Sequence, residues 1–138
     1  MAVRTKSFSC GHKGLGRQCN RCLAETRRAA ETHAAEQARA VEEAMRLARW
    51  DRLFARQAGD SHRFPQRVGD QAIRVAESLV SGTHFRELGG RRMHHDRTIV
   101  RLDVTGFYRL VAFEDRVGRL HDFQLMSHET YNRLLPGD

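Results

Sequence analysis

The sequence predicts an α+β fold, with a long helix near the N terminus, then a second helix, a small antiparallel sheet and a short C-terminal helix. Three observations support this prediction. Residues 23–58 contain no proline or glycine and are dominated by alanine, arginine and glutamate, which favour helix. Residues 66–82 repeat apolar side chains at helical spacing. The segments "TIVRLDV", "FYRLVAFE" and "LHDFQLM" have the apolar patterns and turn-rich boundaries of strands.

Length and charge limit the class of protein. A chain of 138 residues can form one core with a small appendage, and no apolar run is long enough to cross a membrane. The chain carries 24 Lys and Arg against 17 Asp and Glu, and residues 1–63 hold +6 of the net charge of +7. A basic half favours polyanions such as nucleic acid, although a basic surface without a specific partner is the alternative. Three cysteines without a secretory signal predict a cytoplasmic protein.

All three cysteines lie in one segment, "SFSCGHKGLGRQCNRC". Cys10, His12, Cys19 and Cys22 follow the spacing Cys-x-His-x6-Cys-x2-Cys, and three thiolates with one imidazole are a ligand set of tetrahedral structural zinc. Four protein ligands leave no open position for catalysis. The alternatives are reduced cysteines beside an exposed histidine, or a redox Cys-x-x-Cys pair that would leave Cys10 unexplained.

Basic side chains surround this predicted zinc knuckle and precede the strands. We interpret them as candidate nucleic-acid contacts, and ordinary solvated surface is the alternative. They are Arg4, Lys6, Lys13, Arg17 and Arg21 in the knuckle, and Arg91 and Arg92 before the strands.

Composition also predicts the domain organisation. We expect a zinc-binding knuckle at residues 1–23, a long basic helix at 24–58, a linker at 59–66 rich in turn-forming residues, and an α+β domain at 67–138. The apolar heptad of the long helix is not sustained, so a coiled coil is not predicted. Trp50, Phe54 and the apolar face of the second helix are expected to be core. The members of that face are Val68, Ala72, Val75, Ala76, Leu79 and Val80.

The order of elements after residue 64 resembles the RelE/ParE toxin superfamily. The most specific match is "IVRLDVTGFYRLVAFEDRVGRLHDFQLMSHETY", in which a strand with Gly-Phe-Tyr-Arg-Leu-Val leads through a turn and a third strand to a late tyrosine. The resemblance covers about Phe64 to Leu135. It implies a helix packed on a small antiparallel sheet and a toxin paired with an antitoxin protein. RelE-like members cut mRNA on the ribosome without a metal, whereas ParE-like members act on DNA gyrase.

The resemblance also implies roles for individual residues. Arg109 falls on the family's strand arginine, which would stabilise charge on the scissile phosphate, and Tyr131 falls near the late tyrosine, a base or stacking group. His128 stands where many members carry a basic residue or a histidine, and would transfer a proton. The paired lysines of some RelE-like members are absent. Considered without the resemblance, Arg109 could equally pair with Asp103 or face solvent.

Two functional hypotheses follow. The first is a zinc-binding toxin that acts on RNA or the ribosome as a metal-independent endoribonuclease and is controlled by an antitoxin. The second is a non-catalytic module that uses the same fold to bind nucleic acid or a protein.

Overall fold

The chain divides into two units, Met1–Ala44 and Met45–Asp138, and the structure, a computed structural model, describes residues 5–135. The division falls inside the longest helix, α1 (Asn20–Leu53). None of the helices in the described range is long and apolar enough to cross a membrane.

The first unit consists of a small hairpin followed by the greater part of α1. Strand β1 (Lys6–Ser7) pairs with β2 (Lys13–Gly14) in antiparallel register. Residues 24–44 of α1 are exposed on every face. Their alanines have high helix propensity and their charged side chains remain in water, which favours a helix here without a buried stripe.

The second unit contains the end of α1, helix α2 (Gln66–Val80), a four-stranded sheet and a short helix α3 (His128–Leu134). The sheet is antiparallel throughout, and its strands follow chain order. They are β3 (Arg91–Arg92), β4 (Ile99–Thr105), β5 (Tyr108–Glu114) and β6 (Leu120–Ser127). The predicted α+β fold is confirmed.

The core of the second unit includes the last turns of α1. Trp50 and Phe54 are fully buried and stack with ring centroids 4.1 Å apart, within a cluster that also contains the apolar face of α2 and one face of the sheet. The indole N–H of Trp50 donates to the carbonyl of Gln57 at 2.8 Å. These residues belong to its core, so this compact unit extends back to Met45. The domain start at residue 67 that composition predicts stays a prediction. Val80, expected on the buried face of α2, is exposed.

The sheet has two faces because its side chains alternate. Val100, Leu102 and Val104 of β4 pack towards the helices. On the opposite face, α3 places the buried side chain of Tyr131 against a second apolar cluster. Ser127 is the N-cap of α3 and accepts a hydrogen bond from the N–H of Thr130 at 3.1 Å. The rest of this second face carries polar side chains, and the candidate site lies there.

A double glycine leads into the sheet edge. A Cβ atom on Gly90 would lie 2.8 Å from the carbonyl oxygen of Phe85 and 2.8 Å from a carbon of Leu102, so only glycine fits. The close approach aligns β3 with β4 so that Arg91 lies opposite Arg101.

Strand β6 forms the other edge of the sheet, and its outer side is hydrogen-bonded by a side chain rather than by another strand. The amide of Gln57 donates to the carbonyl of Leu125 at 2.8 Å, and its oxygen accepts the N–H of the same residue at 2.7 Å. Gln57 therefore satisfies both outward-pointing backbone groups of Leu125.

Candidate functional site

The predicted zinc ligands converge in the structure. The Nδ1 atom of His12 lies 3.5 Å from the sulfur of Cys10, 3.4 Å from that of Cys19 and 3.3 Å from that of Cys22. All four ligand atoms lie within 4.8 Å of one another. Zn–S bonds of about 2.3 Å and Zn–N bonds of about 2.0 Å place sulfur and nitrogen about 3.5 Å apart in a tetrahedron. The four residues therefore fit one zinc ion with a closed shell.

The backbone around the cluster brings these residues together. Cys10 and His12 lie in the hairpin turn, where Gly11 adopts φ +91°, a conformation that other residues rarely take. The N–H of Phe8 donates to the carbonyl of His12 at 2.9 Å and closes the turn. Cys19 directly precedes α1, and Cys22 is the third residue of the helix. The N–H of Cys22 donates to the Cys19 sulfur at 3.4 Å. The hairpin and the start of α1 thus supply two ligands each.

The ionisation of the cluster favours a metal ion. A backbone hydrogen bond from His12 lowers the pKa of Cys10, and contact with the Cys22 sulfur lowers it further. Contact with Cys10 in turn raises the pKa of Cys22 to about 12, and burial adds to the effect. A second thiolate beside the first needs a compensating cation, which zinc supplies.

The basic residues predicted around the knuckle are solvent-exposed where the structure describes them. Lys6, Lys13, Arg17 and Arg21 are all exposed, and the ammonium of Lys6 lies 5.8 Å from the centre of the Phe8 ring. Arg4 lies outside the described residues.

A second cluster of charge lies on the second face of the sheet. A cavity of about 250 Å³ is lined by Arg91, Arg101 and Arg109 together with Gly89 and Asp103. Three arginines against one aspartate give the lining a net charge of +2. The cavity is smaller than the roughly 300–1,000 Å³ of typical small-molecule pockets. Its size and charge suit a phosphate group.

Arg109 is held between two neighbours. Its Nε–H donates to Oδ1 of Asp103, which lies directly across the ladder, at 3.2 Å. Its guanidinium carbon lies 4.5 Å from the centre of the Tyr131 ring. The Arg109 side chain is 17 % exposed. Both contacts fix the plane of the guanidinium, and the Nε contact leaves its terminal amino groups for an anion.

His128 reaches the same carboxylate. Its Nε2 atom lies 3.4 Å from Asp103 Oδ1, an ion-pair distance without the alignment of a hydrogen bond, and this nitrogen is buried. The backbone N–H of His128 donates to the carbonyl of Phe107 at 2.9 Å, which fixes the start of α3. Arg109 and His128, predicted as partners in one site, thus share Asp103.

The other candidate residues of this domain are placed differently. Tyr131 is fully buried beneath Arg109, so its ring face meets a guanidinium rather than a nucleotide base. Arg92 is held by Glu114 through two contacts of 2.9 Å, and its guanidinium lies 5.1 Å from the centre of the Phe85 ring. Arg91, its neighbour in sequence, is exposed and lines the cavity.

Sequence reasoning did not include Arg101 and Asp103 in the site. The feature that could have identified them is the alternation along β4, where Arg101 and Asp103 are polar residues between buried apolar ones. Once the alignment of β4 with β5 is known, the same pattern places them beside Arg109.

Two family models match separate parts of the chain. Residues 66–133 match the family model of a ParE-like toxin domain, and residues 4–26 match that of a zinc-binding domain of unknown function. No curated protein and no solved structure matched. The predicted structural zinc site is confirmed, with Cys10, His12, Cys19 and Cys22 as its converging ligands. The N-terminal part of the chain is therefore similar to a zinc-binding domain, and its C-terminal part is similar to a ParE-like toxin domain.

Proposed function

We propose that this toxin-like protein binds RNA and cleaves it in its ParE-like domain without a catalytic metal. The observation that carries the proposal is the sharing of one carboxylate, that of Asp103, by Arg109 and His128 at the edge of an arginine-lined cavity. This arrangement combines an anion-binding group with a group that can transfer a proton.

The cavity supplies the binding step. A scissile phosphodiester would take the place of solvent between Arg91, Arg101 and Arg109. Guanidinium groups bind phosphate oxygens through paired, charge-assisted hydrogen bonds. The Tyr131 ring beneath Arg109 holds its guanidinium in place, so little side-chain entropy is lost on binding.

The cleavage step follows from the same groups. The 2′-hydroxyl of RNA attacks the adjacent phosphorus, the bond to the 5′-oxygen breaks, and a 2′,3′-cyclic phosphate and a 5′-hydroxyl remain. Arg109 stabilises the charge of the transition state, a role worth about 10²–10³ in rate for one such donor. His128 transfers one of the two protons that move, and general acid–base catalysis contributes about 10²–10⁴. DNA lacks the attacking hydroxyl, which makes RNA the substrate.

The zinc-binding domain contributes affinity rather than chemistry. Its closed ligand set excludes substrate from the metal, and the exposed side chains of Lys6, Lys13, Arg17 and Arg21 favour the phosphate backbone. We infer that it increases binding to RNA, either free or on the ribosome, in the cytoplasm. A ParE-like toxin domain implies a toxin–antitoxin context, and we propose an antitoxin protein as a further partner.

The test is induction of the full chain in bacterial cells, with sequencing of the 5′ ends of mRNA and growth measured in parallel. We expect new 5′-hydroxyl ends and arrested growth with the wild type, and neither with Arg109→Ala. Arg119→Ala, an exposed arginine in the turn before β6, is the matched control and should act as the wild type does. Intact mRNA after induction of the wild type would contradict the proposal.

A second candidate function is a non-catalytic module that binds nucleic acid or a protein. The burial of Tyr131 favours it, because the late tyrosine cannot then meet a substrate directly. Purified protein that binds RNA tightly but releases no cyclic phosphate, with or without ribosomes, would support this alternative.

A further inference from the structure

Asp103 contacts both Arg109 and His128, its side chain is 68 % exposed, and it has no role in the mechanism so far. One oxygen of its carboxylate, Oδ1, accepts from Arg109 Nε at 3.2 Å and lies 3.4 Å from His128 Nε2. The side chain projects from β4 directly opposite Arg109 of β5. Its position is therefore set by the ladder of the sheet.

The contact distinguishes the two nitrogens of His128. Nε2 is buried 3.4 Å from the carboxylate oxygen, without the alignment of a hydrogen bond, whereas the side chain as a whole is 32 % exposed. A carboxylate accepts hydrogen bonds and does not donate them when ionised. A neutral imidazole is therefore most stable here with its proton on Nε2, and the nitrogen without a proton is then Nδ1.

We propose that Asp103 is a positioning residue that holds His128 in the Nε2–H tautomer and makes Nδ1 the nitrogen that exchanges a proton with the substrate. The inference rests on the proposed function for the identity of that substrate. It requires nothing of the zinc-binding domain. When His128 gains its second proton, Asp103 stabilises the resulting positive charge against the repulsion of Arg109.

The opposite role is a distinct and testable alternative. Asp103 lines the cavity and is itself negative, so it could instead compete with a phosphate for Arg109. A competitor slows binding, and its removal accelerates the reaction. A positioning residue supports proton transfer, and its removal lowers kcat while the loss of negative charge leaves KM unchanged or lower.

The first experiment measures the tautomer directly and needs no activity. The full chain, labelled with ¹⁵N-histidine, is studied by long-range ¹H–¹⁵N correlation at a pH where His128 is neutral, and His128→Gln assigns its signal. We expect the proton on Nε2 in the wild type and in the control Asp115→Asn, and a shift towards Nδ1–H in Asp103→Asn. A proton on Nδ1 in the wild type, or the same tautomer in wild type and Asp103→Asn, would overturn the proposal.

The second experiment measures single-turnover cleavage and KM for RNA. For Asp103→Asn we expect kcat to fall by about 10-fold to 10⁴-fold. The upper limit is the loss that follows when the aspartate of a Ser-His-Asp triad becomes asparagine. KM should stay level or fall, with an unchanged melting temperature. A faster reaction would establish the competitor role and reject ours, as would an unchanged kcat. If the wild type cleaves no RNA, the proposed function fails, and the tautomer measurement alone decides the role of Asp103.

Discussion

The guanidinium of Arg109 lies over the ring of the buried Tyr131, with 4.5 Å between its central carbon and the ring centroid. A cation above an aromatic face gains about 0.5–2 kcal/mol, and more where water is excluded. The late tyrosine is in this structure a support for the strand arginine. We therefore expect the ring of Tyr131, rather than its hydroxyl, to matter for the position of Arg109.

We therefore predict different outcomes for two substitutions at residue 131. Tyr131→Phe keeps the aromatic face and should preserve RNA binding and cleavage within a few-fold. Tyr131→Leu removes it and should weaken both, because Arg109 loses its support. Filter binding, cleavage rates and melting temperatures separate this effect from unfolding. Loss of cleavage in a well-folded Tyr131→Phe would instead assign the hydroxyl a chemical role.

Metal content provides the second prediction. Purified protein should contain one zinc per chain, and Cys19→Ser should contain well below one, as measured by elemental analysis. Acidification should also release zinc, because protons compete for the thiolates and a raised pKa, as at Cys22, makes that competition start at higher pH. The fluorescence of Trp50 should be the same in Cys19→Ser as in the wild type, because Trp50 belongs to the core of the other unit. Ser9→Ala is the control, and full zinc occupancy in Cys19→Ser would contradict the ligand assignment.

The boundary of the second unit leads to a prediction on truncation. A fragment of residues 45–138 should fold, whereas one of residues 64–138 should not, because it lacks Trp50, Leu53 and Phe54 of the core. Removing a single large aromatic side chain from a core costs about 3–5 kcal/mol, against a total stability of about 5–15 kcal/mol. Circular dichroism melts of the two fragments provide the measurement. A cooperative melt of the shorter fragment at the temperature of the longer would show that the end of α1 is dispensable.

An ion pair between α1 and α2 makes stability depend on pH. Arg49 holds Glu77 through both carboxylate oxygens, and this contact lowers the pKa of Glu77 below its ordinary value of 4.5. The stabilisation is fully present above that ordinary value and is lost as the pH falls through the lower, folded value. Both side chains are more than a third exposed, so the pair is worth at most about 1 kcal/mol.

Glu77→Gln should therefore lower the free energy of unfolding in urea at pH 7, and the difference should disappear in strong acid. The double variant with Arg49→Met is the control for the pair, since removal of both partners should cost less than the sum of the single changes. An undiminished difference at acid pH would mean that packing, and not charge, stabilises this contact.

Salt dependence tests the zinc-binding domain as an electrostatic arm. Replacing Lys6, Lys13, Arg17 and Arg21 by serine should weaken RNA binding and flatten its dependence on salt. Each lost contact to single-stranded RNA should reduce the slope of log K against log salt by about 0.7. Arg116→Ser with Arg119→Ser, both exposed in the turn before β6, is the charge control. An unchanged slope in the fourfold variant would show that these side chains do not meet phosphate.

The sequence was informative wherever a local pattern determines structure. Alternating residues predicted β4, apolar residues at helical spacing predicted α2, and ligand spacing predicted the zinc site. The position of Met45 as the start of the second unit was not predictable in this way. It depends on the packing of Trp50 and Phe54 against α2 and the sheet, and these contacts join segments that are distant in the chain.

The candidate site was also only partly predictable from the sequence. Arg109 and His128 were predicted because the order of elements resembles the RelE/ParE superfamily. The roles of Asp103 and Tyr131 depend on strand register and on the covering of one sheet face by α3, which the separate segments do not encode.

The side-chain amide of Gln57, which satisfies both backbone groups of Leu125, has a consequence for the behaviour of the protein in a crowded cell. An open outer strand is a template on which another chain can add a strand and begin an aggregate. Gln57 imitates one residue of such an added strand and occupies the place where it would start to pair. Asp122, held at φ +53° on the same strand, bends the backbone away from the extended form that continued pairing requires. The sheet thus ends at β6 because one side chain and one bend prevent it from growing.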